Sequence, residues 1–180
     1  MRGGTILPIL RHNKALSLLR CKFNPLRLEI FLDPEDESAS GLLYMDDGKS
    51  FEYEDKADQE GEKVLLVYTY KNNTLSTMKL IDNSFDQAAM VYIHEVVIYG
   101  VSQQPTSVTN LLTGDTTLLF NSKGEKQGSD ATSDIPSKPK ESFKFRYAWK
   151  SRSLRVTGLS LALDLGQQKH KEVEMFKINV

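Results

Sequence analysis

The dominant hydrophobic period along the chain is two. Leu26, Leu28, Ile30 and Leu32 alternate with Arg27, Glu29 and Phe31, the pattern of a half-buried strand. Phe143, Phe145, Tyr147 and Trp149 alternate with Lys144, Arg146 and Ala148 in a second clear case. Further β-rich runs lie at 64–70, 75–80, 90–99, 116–120, 154–156 and 173–180, and Thr5–Ile9 reads as a strand near the start. Turn residues separate them: Asn24-Pro25, Asp46-Asp47-Gly48, Asn72-Asn73, Gly100 and Gly114-Asp115. Many short strands with frequent turns predict a sandwich and not a βαβ fold. His12–Arg20 is the one stretch with a helical option, limited to one or two turns before Pro25. Residues 122–142 carry almost no apolar side chains and predict a long polar, mobile loop between two strands.

Composition narrows the function classes. The 180 residues suffice for one sandwich-sized domain or two small ones. Lys plus Arg is 23 against 24 for Asp plus Glu, so the basic excess that grips phosphates is absent and no nucleic-acid partner is expected. No apolar run reaches the length of a membrane-spanning helix, and no membrane partner is expected. Cys21 is the only cysteine, so no intramolecular disulfide can form. The start, Met1-Arg2-Gly3-Gly4, does not read as a signal peptide, because its short apolar stretch breaks at Pro8. Asn72-Asn73-Thr74 is a glycosylation sequon, relevant only in the secretory pathway.

Each candidate for chemistry has a structural reading beside it. Arg2-Gly3-Gly4 lacks the lysine and the following helix of a phosphate loop. Asp46-Asp47-Gly48 lies between two β-rich runs and signals a hairpin turn. As a calcium site it lacks further oxygen ligands at set spacing, and adjacent turn carboxylates cannot flank a glycosidic bond. Asp33-Pro34-Glu35-Asp36-Glu37 reads as a solvated acidic loop. His12, His94 and His170 share no metal-ligand spacing, Cys21 has no nucleophile signature, and no serine sits in a G-x-S-x-G elbow. Tyr147 and Trp149 are a sugar-stacking candidate, although aromatic residues at period two more often form core. No catalytic, metal or cofactor-binding residue is assigned, and no cofactor is expected.

Four segments in order carry a resemblance. They are Arg2-Gly3-Gly4-Thr5-Ile6-Leu7-Pro8, Asn24-Pro25-Leu26-Arg27-Leu28, the run ASGLLYMDDGKSFEY at 39–53, and Ile93–Val101. Together they resemble the C-terminal end of glycoside hydrolase family 31 α-glucosidases, nearest in flavour to the glucosidase II α-subunit type. The resemblance is specific through about residue 55, moderate over 90–109 and weak after 110. It implies an all-β fold of two small antiparallel β-sandwich domains, a proximal one at 1–60 and a distal one at 61–180 carrying the loop at 122–142. It also implies that the retaining nucleophile and acid/base belong to a (β/α)8 barrel that would precede Met1, so that this chain is not an enzyme on its own. The barrel is then the expected partner, in cis or in trans. Standing alone as a carbohydrate-binding or protein-interaction domain is the alternative. For the parent family the resemblance implies the endoplasmic reticulum lumen or the lysosome, while the sequence assigns no compartment to this chain itself.

Overall fold

The computed structural model describes residues 3–10, 24–46, 63–83, 91–118, 143–162 and 170–180. Among these residues the fold is all-β, as the alternation predicts, with one short 3-10 turn at Trp149–Ser151. The strands are β1 (Thr5–Leu10), β2 (Leu26–Phe31), β3 (Ala39–Asp46), β4 (Lys63–Lys71), β5 (Thr74–Asn83) and β6 (Tyr92–Tyr99). They continue with β7 (Ser107–Asn110), β8 (Thr116–Leu118), β9 (Lys144–Ala148), β10 (Ser153–Ala162) and β11 (Glu172–Asn179). The helical option at 12–20, Cys21, the Asp47-Gly48 turn, the polar loop at 122–142 and the domain boundary at residue 60 lie outside the described residues. On either side of that boundary the strands pair with one another, β2 with β6 and β3 with β4.

All eleven strands belong to one hydrogen-bonded sheet in the order β8-β7-β11-β5-β4-β3-β1-β2-β6-β10-β9. Most ladders are antiparallel, but β2/β6 and β1/β3 are parallel. Parallel neighbours need a crossover rather than a tight turn, so strands distant in sequence become adjacent here. The β1/β3 ladder is a single registered pair, Thr5 with Ser40. It divides the sheet into a five-strand half, β1-β2-β6-β10-β9, and a six-strand half, β8-β7-β11-β5-β4-β3. At this seam β1 and β3 approach so closely that a Cβ on Gly41 would sit 2.1 Å from the Ile6 carbonyl oxygen. Only glycine fits that approach. The outermost strands also come together, since the Thr117 hydroxyl donates to the Phe143 carbonyl, which immediately precedes β9, at 3.3 Å.

Both halves feed one buried cluster. The five-strand half contributes Ile6, Leu28, Ile30, Val96, Ile98, Leu154 and Val156, and the six-strand half Leu66, Tyr68, Tyr70, Leu75 and Phe176. Period-two alternation explains most of it: β2 buries Leu26, Leu28 and Ile30, and β4 buries Val64, Leu66, Tyr68 and Tyr70. In β10 the buried positions change from Leu154 and Val156 to Leu159 and Leu161. The parity changes because the register with β6 shifts between Thr157 and Leu161, where Gly158 takes φ 78°.

Turn chemistry is local. Asn72 and Asn73 have φ of 49° and 60° and join β4 to β5 in two residues, the mirror-image turn that suits strand twist. Gly100 and Gly114 also take positive φ at the expected turns. The aromatic alternation ends sooner than the sequence predicts. Phe143 and Phe145 are core and Tyr147 is half-buried, but the chain leaves the strand at Trp149, which is 72% exposed. Strand β7 was not signalled by its sequence, Ser-Val-Thr-Asn, which lacks a clear apolar alternation.

Candidate functional site

The outer faces of the two halves, opposite the core, hold the candidate surfaces. In the five-strand half, pairing aligns residues in rows across β1, β2, β6 and β10. One row is Ile9, Arg27, Glu95 and Thr157, and the next is Leu7, Glu29, Val97 and Arg155. A third brings Phe31 beside Tyr99, stacked with ring centroids 4.8 Å apart. The charges in the first two rows form a network. Arg27 Nη2 meets Glu29 Oε1 at 2.5 Å, Arg155 Nε meets Glu95 Oε1 at 3.3 Å, and Arg27 Nη1 lies 3.9 Å from Glu95 Oε2. The last distance is a charge contact and not a hydrogen bond. Glu95 is buried, so it depends on these guanidiniums for the solvation that it has lost.

A cavity of about 630 Å³ opens at one end of this network, lined by Ile9, Leu10, Arg27, His94, Glu95, Arg155 and Thr157. Arg27 Nε is buried with no hydrogen-bond partner among the described residues.

The six-strand half presents the opposite character. On β3 and β4, pairing aligns Leu42 with Val67 and Tyr44 with Leu65 on the outer face, and β5 adds Met78 beside Val67 and Ile81 beside Leu65. Leu42 is 61% exposed and Tyr44 46%. Strand β4 is apolar on both faces (KVLLVYTYK), the composition of a strand meant to be covered on both sides. Polar residues bound this patch. Ser76 and Thr69 both donate hydroxyls to Glu172 Oε1, at 2.6 Å and 3.1 Å.

The residues singled out in the sequence are scattered. The acidic stretch 33–37 forms the solvated β2–β3 connection, as read. Asp33 Oδ1 accepts from the Glu35 amide and Asp36 Oδ1 from the Ser38 amide, both at 2.9 Å. Hydrogen bonds from the Ser38 side chain and backbone hold the Asp36 carboxyl below the usual range. Asp46 ends β3 opposite Lys63. His94 lies on β6 and His170 just before β11, in different halves of the sheet, while His12 and Cys21 fall outside the described residues. No group of three or more His, Cys, Asp or Glu side chains is placed to hold a metal among the described residues.

Trp149 stands on a braced turn. Arg152 takes a left-handed φ of 46° and its carbonyl accepts from the Gly100 and Val101 amides. Its guanidinium donates back to the Gly100 and Val101 carbonyls, and the Tyr147 hydroxyl also donates to the Val101 carbonyl. Lys150 Nζ lies 5.7 Å from the Trp149 ring centre.

Sequence reading missed the Arg27–Glu95–Arg155 network, because its members are joined by a parallel pairing and a bulge. The usable signal was weak: two charges, Arg27 and Glu29, inside an otherwise apolar strand.

No family model matches the chain. Curated relatives do. Neutral α-glucosidase AB of Dictyostelium discoideum is 33% identical over 120 residues, 66% of this chain and 12% of that protein. An α-glucosidase of Hordeum vulgare is 34% identical over 103 residues, 56% of this chain and 11% of that protein. Neutral α-glucosidase AB of Sus scrofa is 34% identical over 109 residues, 59% of this chain and 11% of that protein. The chain thus spans roughly a tenth of the length of the relatives it matches. Among solved structures, a Flavobacterium johnsoniae glycoside hydrolase family 31 dextranase aligns with 99% of this chain and 19% of its own, at TM-score 0.51 and 15% identity, which speaks to fold alone. Ordered motifs, homology to α-glucosidases and a shared β fold agree: over part of its length this chain is similar to one short stretch of the glycoside hydrolase family 31 α-glucosidases, consistent with their C-terminal region.

Proposed function

We propose that the chain is a non-catalytic β region that supports the catalytic barrel of a family 31 α-glucosidase, and that it contributes no nucleophile or acid/base to glycoside hydrolysis. The observation that carries this reading is the apolar outer face of β3, β4 and β5, with Leu42, Tyr44, Leu65 and Val67 at its centre. A solvated outer face would alternate to polar residues, as the faces of antiparallel sheets facing water do. An apolar face of this kind marks a surface that meets another part of the same protein or a partner. The small share of each relative that the chain matches supports the same reading, since the larger remainder supplies a neighbour for that face.

The test has two arms. Purified 1–180 is assayed on a chromogenic α-glucoside, with no turnover above buffer expected. It is then co-expressed with an α-glucosidase barrel that lacks its own C-terminal region. Co-purification, lost in Leu42→Asp, is the expected result. Turnover by 1–180 alone, or a Leu42→Asp variant that still co-purifies, overturns the proposal.

Exposed Trp149 favours a second reading, a carbohydrate-binding domain that stacks sugar on this ring. Titration with maltose while following Trp149 fluorescence checks it, and the absence of a saturable change counts against it.

A further inference from the structure

The cavity on the charged face is built by two irregularities at the same level of the sheet. Between β2 and β6 the register steps from Leu26↔Ile93 to Arg27↔Glu95, which leaves His94 as the extra residue. Between β6 and β10 it steps from Glu95↔Thr157 to Ile93↔Leu161, with Gly158 in the gap at positive φ. A bulge bends a strand and re-aims a side chain that plain alternation would send to the other face. Here it lets two successive residues, His94 and Glu95, line the same cavity.

We infer that this cavity binds a neutral, hydroxyl-rich ligand of the size of one or two sugar rings. The charge of its walls points to a neutral guest. Arg27 and Arg155 are balanced by Glu29 and Glu95, and both guanidiniums already engage carboxylates. An anion would have to displace those carboxylates, and a cation would meet two guanidiniums. A polyol needs neither. The guanidiniums donate, Glu95 accepts, and Thr157 and His94 can each do either. Ile9 and Leu10 offer an apolar wall to the C–H face of a ring. The volume of about 630 Å³ falls within the range of small-ligand sites. Arg27 Nε is buried without a hydrogen-bond partner among the described residues, so those residues do not saturate the hydrogen-bonding capacity at this place. None of this depends on how the apolar face is covered.

The experiment is a titration of isotopically labelled 1–180 with maltose, followed by amide chemical shifts. Saturable shifts are expected at His94, Glu95 and Thr157. Thr157→Val and Arg155→Ala lie at partly or fully exposed positions, and each is expected to weaken binding about tenfold with the dispersed spectrum of a folded protein retained. Three results overturn the inference: no saturable shift in the unsubstituted chain, maltose shifts confined to residues around Trp149, or shifts at the cavity with inorganic phosphate and none with maltose.

Discussion

The outer faces of the two halves differ in how they meet water, although β2 and β4 alternate between buried and half-buried positions with the same period. On β1, β2, β6 and β10 the outer positions hold Arg27, Glu29, Glu95 and Arg155, with the buried carboxylate gripped by guanidiniums. On β3, β4 and β5 they hold Leu42, Tyr44, Leu65, Val67 and Met78. The first face pairs its charges with one another. The second keeps apolar area exposed. The contrast teaches that burial follows from what a face carries and not from its position in the sheet. Val97, on the outer face, is as buried as a core residue because long charged side chains flank it. Leu42 lies in the middle of a strand and is 61% exposed.

The largest expected effect breaks the seam that holds the two faces in one molecule. Gly41→Val places side-chain atoms against the Ile6 backbone, where a Cβ alone would lie 2.1 Å from the carbonyl oxygen. Backbone on both sides leaves no flexible group to yield. We expect a loss of about 3 kcal/mol or more, or loss of cooperative folding, read from urea denaturation. A near-native transition midpoint would show that the seam is not needed to join the halves.

The next effect separates the charged face from the apolar one. Glu95→Ala removes the carboxylate that faces both Arg27 and Arg155 and leaves Arg27 partly buried with one carboxylate fewer. The expected cost is about 2–4 kcal/mol. Arg155→Ala takes away the guanidinium nearest the buried Glu95 carboxylate and leaves Arg27 3.9 Å from it, so its expected cost is about 1–3 kcal/mol although the Arg155 side chain is 55% exposed. A cost below that range would mean that Glu95 does not depend on this network. On the apolar face, Leu42→Asp at a 61% exposed position is expected to change the stability of the isolated chain by less than about 1 kcal/mol and to raise its solubility. A large stability loss there would mean that this face is already covered within the chain.

The smallest effect lies in the core and titrates. Burial pushes the Tyr68 hydroxyl well above its ordinary range, and this hydroxyl has no hydrogen-bond partner among the described residues. Its folded pKa is therefore raised relative to the unfolded chain. The stability linked to that difference is fully present below pH about 10, the unfolded value, and is lost progressively as pH rises beyond it. Tyr68→Phe is expected to change stability at neutral pH by no more than about 1 kcal/mol and to flatten the alkaline fall between pH about 9 and 11. Denaturation midpoints across that range check it. An identical slope in the variant would assign the alkaline fall to other groups.

Much of the architecture could be read along the chain. Alternating and β-rich runs between turn signals located ten of the eleven strands among the described residues, because side-chain period and β propensity are both local properties. The runs LRLEIF and KVLLVYTYK matched their strands within a residue or two. Asn72-Asn73 marked its turn because both residues tolerate positive φ. The ordered motifs, RGGTILP and LYMDDGKSFEY above all, pointed to the α-glucosidase relatives that the comparisons then returned. Strand β7 was missed because its two buried polar residues, Ser107 and Asn110, hide the apolar pattern. Trp149 continued a perfect alternation but left the strand, because the turn through Arg152 is held by contacts to Gly100 and Val101, about fifty residues away in the chain.

Local sequence thus determined where strands form, which of their faces is apolar and which family the chain resembles. Those properties depend on side-chain period and turn chemistry, and neighbouring residues carry both. Pairing between distant strands was decided only in three dimensions. The parallel β2/β6 ladder sets Arg27 opposite Glu95, its register step leaves His94 as an extra residue beside Glu95, and the close approach of β1 to β3 makes Gly41 irreplaceable. Register and crossover depend on how the whole core closes, so no local pattern contains them.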